Sequence, residues 1–287
     1  MEIAVASGKG GTGKTTISLS LTTYYRDKGF KVALLDCDVE EPNANLFLNA
    51  EISEKTDCKI PLPKVDNSLC TGCGKCDDLC EYSAIVLIKG KPLVLPEMCH
   101  SCGGCALICP EKAITEVDRI IGIVEKSEKD GIKFAGGRLN IGEVLAPPLI
   151  DNVKGNYPDE EIRILDSPPG TSCPVIESVK NADFLLLVAE PTPFGLNDLK
   201  LAAGMGDALG LPSAVVINKG GENDHIIKEF CESVGLPVID SIPDNRAVAE
   251  KYSRGDCISI IKENYSDKLE KIAEYISIKC RRSGQND

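Results

Sequence analysis

The chain has 287 residues, 43% of them hydrophobic and 26% charged, a globular composition with enough length to bury a sizeable core. Lys and Arg total 32 against 44 Asp and Glu, a formal net charge of −12. This argues against a surface that tracks a nucleic-acid backbone. The 14 cysteines are either disulfides of an oxidising compartment or metal ligands of a reducing one. The opening MEIAVASGKGGTGKT has no basic segment leading into an apolar one. No apolar run approaches the ~20 residues that cross a bilayer. The expectation is a cytoplasmic protein without a membrane partner, in which structural disulfides are the minority explanation.

In chain order, short aliphatic runs recur at Ile3–Ala6, Val32–Leu35, Ile162–Leu165, Phe184–Ala189 and Ala214–Ile217, with a weaker one at Pro237–Ile239. Runs of this length suit strands buried on both faces of a parallel sheet. Helical stretches fall between several of them, near Thr15–Lys28, Asn197–Leu209 and Asp224–Val234. The alternation predicts an α/β fold with a doubly wound, mostly parallel sheet. Residues 59–120 break it, and Pro61 and Pro63 mark the entry. They read as a small inserted domain, leaving residues 1–58 and 121–287, about 225 residues, for the larger one. After it, Val124–Gly142 carries two Gly-rich turns, Asp130-Gly131 and Gly136-Gly137, and predicts hairpin-like strands. A helix is expected over Glu143–Lys154 despite Pro147-Pro148. Leu269–Lys279 has the pattern of a packed terminal helix.

Gly8-Lys9-Gly10-Gly11-Thr12-Gly13-Lys14-Thr15 fits G-x-x-x-x-G-K-[ST] between a strand and a helix. The glycines let backbone N–H groups curl round phosphate oxygens, and the helix N-terminus adds its dipole. Lys14 is expected on the β- and γ-phosphates and the Thr15 hydroxyl on Mg²⁺. The run at Val32 ends in Asp36-Cys37-Asp38. In an extended strand the two carboxylates would project together, with Cys37 turned into the core. The run at Ile162 ends in Asp166-Ser167-Pro168-Pro169-Gly170. There Asp166 would hold Mg²⁺ through water, and Gly170 would let the backbone approach the γ-phosphate.

The inserted segment contains eight cysteines. Cys70-x₂-Cys73-x₂-Cys76-x₃-Cys80 is repeated as Cys99-x₂-Cys102-x₂-Cys105-x₃-Cys109-Pro110. This spacing is that of bacterial ferredoxins with two 4Fe–4S clusters, where the fourth Cys of each run ligates the other cluster. The expected sets are Cys70, Cys73, Cys76 and Cys109, and Cys99, Cys102, Cys105 and Cys80. Zinc is the competing reading, but its structural sites usually pair four ligands two by two. The halves Asn67–Leu87 and Glu97–Val117 form an internal repeat. So small a unit has little apolar core, so the clusters would supply much of its folding energy. Of the other cysteines, Cys58, Cys231, Cys257 and Cys280 show no ligand spacing.

Lys9, in the form K-G-G-T-G-K-T, resembles the deviant phosphate-binding loop of the MinD/ParA-type ATPases, relatives of the nitrogenase iron protein and the Mrp-type iron–sulfur carriers. The resemblance takes in Gly8–Thr16, with Thr16 closing the loop, Asp36–Asp38, Asp166–Gly170, Glu190–Pro193 and Val216–Lys219. It implies that Lys9 crosses a homodimer interface to the partner's phosphates and that Asp38 orients or deprotonates the attacking water. Asn218 would contact the adenine, beside the Pro243-Asp244 loop. Cys173, seven residues after Asp166, resembles a cluster ligand of the nitrogenase iron protein, whose second cysteine has no counterpart in Gly136–Gly142.

The reading that follows is an ATP- and Mg²⁺-dependent dimeric switch that couples nucleotide state to electron transfer through two 4Fe–4S clusters, for a redox or metallocofactor-assembly partner. The alternatives are an iron–sulfur carrier or assembly ATPase, and a positioning ATPase whose clusters are structural or sensory.

Overall fold

The computed structural model describes residues 1–246, 250 and 258–283, and side chains throughout except those of 258–264, 282 and 283. Cys257 lies outside the described residues. Among these, seven strands run parallel in one sheet: β1 (Glu2–Ala6), β2 (Val32–Asp36), β7 (Ile132–Leu139), β8 (Ile162–Asp166), β9 (Phe184–Ala189), β10 (Ser213–Gly220) and β11 (Val238–Pro243). Two more, β3 (Glu54–Val65) and β6 (Ile114–Lys129), are added antiparallel at one edge, giving the order β11-β10-β9-β1-β8-β2-β7-β6-β3. Period-2 alternation splits the core into two layers. Ile3 and Val5 face one layer with helices α1 (Lys14–Asp27) and α9 (Ile258–Ser283), and Ala4 and Ala6 face the other. The second layer holds α5 (Pro147–Lys154), α6 (Cys173–Val179), α7 (Pro193–Ala208) and α8 (Asp224–Val234). The predicted α/β fold with a mostly parallel sheet is therefore present. No helix among the described residues is long and apolar enough to cross a membrane.

Three local expectations need correction. Gly136-Gly137 is not a turn: both residues lie inside β7, and the hairpin to β6 turns at Asp130-Gly131 alone. Glycine is needed there for closeness, since a Cβ on Gly137 would lie 2.6 Å from Val39 Cγ1 and 3.0 Å from Leu149 Cγ. Pro61 and Pro63, expected to mark the entry to the insert, sit within β3, the sheet's edge strand. Two residues apart, they remove donors only from one side of it, which an edge strand tolerates. Helix α7 starts at Pro193 rather than Asn197, because the Thr192 side chain caps it by accepting the Gly195 N–H and proline suits the first turn. Pro147 and Pro148 likewise open α5.

Strands β3 and β6 form a long arm paired from Glu54–Lys126 to Val65–Ile114, with a bulge at Cys58/Lys59. This ladder straddles the positions 59 and 120 at which the sequence pattern changes. At its tip, residues 66–113 carry α3 (Lys75–Leu79), β4 (Ile85–Ile88), β5 (Lys91–Val94) and α4 (Gly104–Ile108). The tip's own core is small: Cys76, Ile85 and Ile114, with the partly buried Cys80, Cys105 and Cys109 packed against them.

Replacing Gly137 by Ala forces Val39 and Leu149 apart in a filled layer. The expected cost is about 1–3 kcal/mol of unfolding free energy, read by urea denaturation at constant m-value.

Candidate functional site: a phosphate loop and two cysteine cavities

The loop between β1 and α1 opens a cavity of about 390 Å³. Gly10, Gly11, Gly13, Lys14, Thr15 and Thr16 form its floor, and Asp38, Glu41, Asn43 and Pro169 line one side. Asn218, Lys219, Pro243, Asp244, Asn245 and Tyr265 close the other. Five predicted residues stand outside this lining. Gly8 packs beneath the loop, where a Cβ would fall 2.2 Å from the Asp198 carbonyl oxygen. Thr12 is buried, and its backbone carbonyl accepts from Asn218 Nδ2 at 2.7 Å. Asp166 is buried below Thr15, Gly170 adopts φ +96°, and Lys9 is turned aside.

The chemistry beneath the loop is carried by buried charges. Lys14 is largely enclosed, so burial lowers its pKa, while Asp166 and Asp38 pull it back up. Asp166 Oδ1 accepts from the Ser18 hydroxyl at 2.9 Å, and its carboxyl also meets the Thr15 side chain. Burial raises its pKa to about 6, against the pull of Thr15 and Lys14. This arrangement can hold a hydrated divalent cation next to Thr15.

Asp36 and Asp38 do not project together. Strand β2 ends at Asp36, whose Oδ1 accepts the Asp38 N–H at 3.1 Å and whose Oδ2 accepts those of Asn43 and Ala44 at 3.1 and 3.0 Å. Asp36 is thus a buried anchor for the segment leading into α2 (Ala44–Leu48), and Asp38 alone faces the cavity. Burial raises the Asp38 pKa, opposed by the Glu41 N–H and Lys14. Cys37 is fully buried as expected, which raises its thiol pKa.

Sequence reasoning gave no role to Ser18, Glu190, Lys219, Asn245 or Tyr265. Ser18 was legible in principle as a polar residue one turn after Lys14. Tyr265 was not, since it reaches the cavity from a non-helical kink (φ −138°, ψ 28°) in a distant helix.

The tip of the arm contains two recesses. One is lined by Cys70, Cys73, Cys76 and Cys109, and the other by Cys80, Cys99, Cys102 and Cys105. Cys76 borders the second as well. Each run thus contributes three thiols to one recess, and its fourth faces the other. The internal repeat is structural: the N–H of Ala84 donates to Cys80 Sγ and that of Ala113 to Cys109 Sγ, both at 3.3 Å. Gly74 and Gly103 both take positive φ (82° and 72°) to start α3 and α4. His100 stacks on Tyr82, ring centroids 3.6 Å apart, at the edge of the second recess. Cys173 is exposed at the start of α6.

A family model for the CobQ/CobB/MinD/ParA nucleotide binding domain matches residues 3–258. The chain belongs to this family. It is a P-loop ATPase. It is 34% identical over 281 residues to the uncharacterized protein MJ0578 of Methanocaldococcus jannaschii, covering 96% of this chain and 98% of that one. It is 25% identical over 273 residues to an iron-sulfur cluster carrier protein of Aquifex aeolicus, covering 90% of this chain and 61% of the other. Among solved structures, MinD from Pyrococcus horikoshii complexed with Mg-ADP is similar at TM-score 0.59 and 20% identity, over 96% of this chain and 95% of that one. That identity supports the shared fold only.

Asp36 makes stability depend on pH. Burial, reinforced by Asp166, raises its pKa to about 8 from 3.8, so the folded state holds the proton more tightly than the unfolded chain. Its contribution is therefore full below the unfolded value and is lost as pH rises towards about 8. Asp36→Asn is expected to flatten the fall in unfolding free energy across that window, measured by denaturant titration at several pH values.

Proposed function

We propose that this ATPase is a dimeric switch whose nucleotide state is coupled to two 4Fe–4S clusters held at the tip of the β3–β6 arm, in a ferredoxin-like domain inserted at residues 59–120. The observation that carries the reading is the sorting of the eight cysteines into two recesses in the crosswise sets that a two-cluster ferredoxin uses. The donor set suits a cluster better than zinc. Zinc draws four ligands to about 2.3 Å from one point, and among the described residues no three His, Cys, Asp or Glu side chains are grouped for a single metal ion. A cube takes one thiolate on each iron, so its ligands line a volume instead. The backbone N–H groups on Cys80 and Cys109, and that of Ser101 at 3.5 Å from Cys99 Sγ, would adjust the charge on the thiolates. With three fully or nearly buried residues as its core, the tip would draw on bound clusters for its stability.

On the nucleotide side, the backbone of Gly10–Gly13 and the Lys14 ammonium would cradle the phosphates. Thr15 and Asp166 would hold Mg²⁺, and Asp38 would orient the attacking water. Asn218, tied to the loop through Thr12, would present its free amide oxygen to the base beside Pro243 and Asp244. Lys9 would reach the partner protomer's phosphates, which makes hydrolysis depend on dimerisation. Bound clusters supply one-electron transfer, and the chemistry served lies in a partner protein. The segment anchored by Asp36 continues through Val39, whose carbonyl accepts the Leu139 N–H at 2.9 Å. The next residue, Asn140, bonds to Ile120 and Ile121 on the arm strand β6. This chain of bonds supports coupling between nucleotide and clusters. A net charge of −12 favours a partner with a basic face.

A carrier role is the second reading, favoured by the similarity to the Aquifex aeolicus carrier protein. Four cysteines per recess leave no open iron, which favours clusters that stay in place. Intact transfer of iron and sulfide to an apo-acceptor would decide for the carrier.

Anaerobically prepared protein is expected to bind about eight irons per chain and to give two interacting reduced-cluster signals by electron paramagnetic resonance. Cys109→Ala is expected to alter the same signal as Cys73→Ala and leave that altered by Cys102→Ala. An iron-free protein, or variants sorted by run rather than crosswise, would refute the assignment.

A further inference from the structure

We propose that Glu190 is a positioning residue for the ATPase, a latch that holds Lys9 within its own chain until nucleotide and partner release it. The proposal rests on the reading that Lys9 acts across the dimer. Glu190 directly follows β9, three residues before α7 begins at Pro193, and its side chain is 13% exposed. Its Oε2 lies 3.0 Å from Lys9 Nζ, while Oε1 pairs with Lys219 Nζ. The Lys219 ammonium also donates to the Gly11 carbonyl at 2.8 Å. One carboxylate therefore ties both Lys9 and the phosphate loop to the end of β9.

Lys219 comes to this position by a backbone device. It lies where the β10–β11 register shifts between Asn218 and Gly220, and it adopts φ +55°, a conformation that costs a non-glycine residue energy. The bulge turns its side chain towards the loop, and Lys219 lines the nucleotide cavity. Burial by itself would raise the Glu190 pKa. The hydrogen bonds from Lys219 and Lys9 outweigh it and lower the pKa, so the group stays a carboxylate.

The consequence follows from valence and charge. Two ammonium groups on one carboxylate leave a net positive charge beside the phosphate site, which attracts a nucleotide. Lys9 can neutralise Glu190 or a partner's phosphate, but not both at once. Dimer closure therefore includes the loss of the Lys9–Glu190 pair, and the strength of that pair sets how much ATP closure needs. Lys219 keeps Glu190 neutralised after Lys9 leaves, so the released carboxylate does not repel the incoming phosphates.

The test is ATP-dependent dimerisation followed by analytical ultracentrifugation in Mg²⁺, with ATP as the varied ligand. Glu190→Gln is expected to reach half-dimerisation at roughly two- to five-fold lower ATP, the range for losing one partly exposed ion pair. Glu190→Asp, which keeps the charge, is expected to return most of the way to the parent value. The same Glu190→Gln change made in a Lys9→Ala chain separates the latch from a change in local charge. There, any gain in monomer affinity for ATP from the lost carboxylate charge is expected to be smaller than the dimerisation shift, and a gain as large as that shift would overturn the latch. No shift in Glu190→Gln, when Lys9→Ala has lost dimerisation, overturns the latch alone. A Lys9→Ala chain that dimerises and hydrolyses like the parent overturns the trans-lysine reading and the latch with it.

Discussion

The structure turns on two carboxylates at the ends of neighbouring strands. Asp36 and Asp166 are register partners across β2 and β8, both buried, and the Asp166 charge adds to the cost of ionising Asp36. Such a pair is tolerable only if its surroundings supply donors and cations. Asp166 has Ser18, Thr15 and the nearby Lys14, all on the first turns of α1. Asp36 has three backbone N–H groups of the segment Asp38–Ala44. The position of the phosphate loop and the path of the following segment are therefore both set by the need to satisfy these acids. The parallel sheet brings the two strand ends to the same edge, where ligands of such sheets bind.

The same segment also connects the phosphate site to the arm by hydrogen bonds. The segment anchored by Asp36 passes through Val39 to Leu139, and Asn140 reaches β6. The partly buried Arg119–Glu143 pair (2.6 Å) clamps β6 at the base of the arm, and Glu143 also accepts the N–H groups of Val144 and Leu145. The bulge at Cys58/Lys59 lies at the same level. Below it the ladder is part of a nine-stranded sheet with a filled core, and beyond it the tip has almost no apolar core of its own. Rigid support ends and a lightly held unit begins within a few residues.

Much of this was legible because the signals are local. The glycine spacing of residues 8–15 and the triplet spacing of the cysteines encode loop geometry over a few residues; all of Gly10–Thr16 except Thr12 lines one cavity, and the eight cysteines line two recesses. Continuous apolar runs marked every parallel strand on the layers' shared sheet except β7, whose Gly136-Gly137 reads as a turn. Those glycines sit in a strand because Val39, Leu149 and Phe134 crowd the faces above them, a contact made by distant residues. The common direction assumed for Asp36 and Asp38 failed for a similar reason. The strand stops at Asp36, two residues short of Asp38, because donors seven and eight positions downstream fold back onto Asp36.

The sequence by itself determined the class of fold, the phosphate loop and the eight thiols, since each depends on residue type at short, fixed spacing. The tertiary structure decided which aspartate faces the cavity and where Lys9 rests. These depend on partners far apart in sequence: Asp166 beside Asp36, and Glu190 beneath Lys9 and Lys219. No local pattern encodes such pairings. They follow from the order in which the sheet assembles its strands, which sets the charges that meet at their ends.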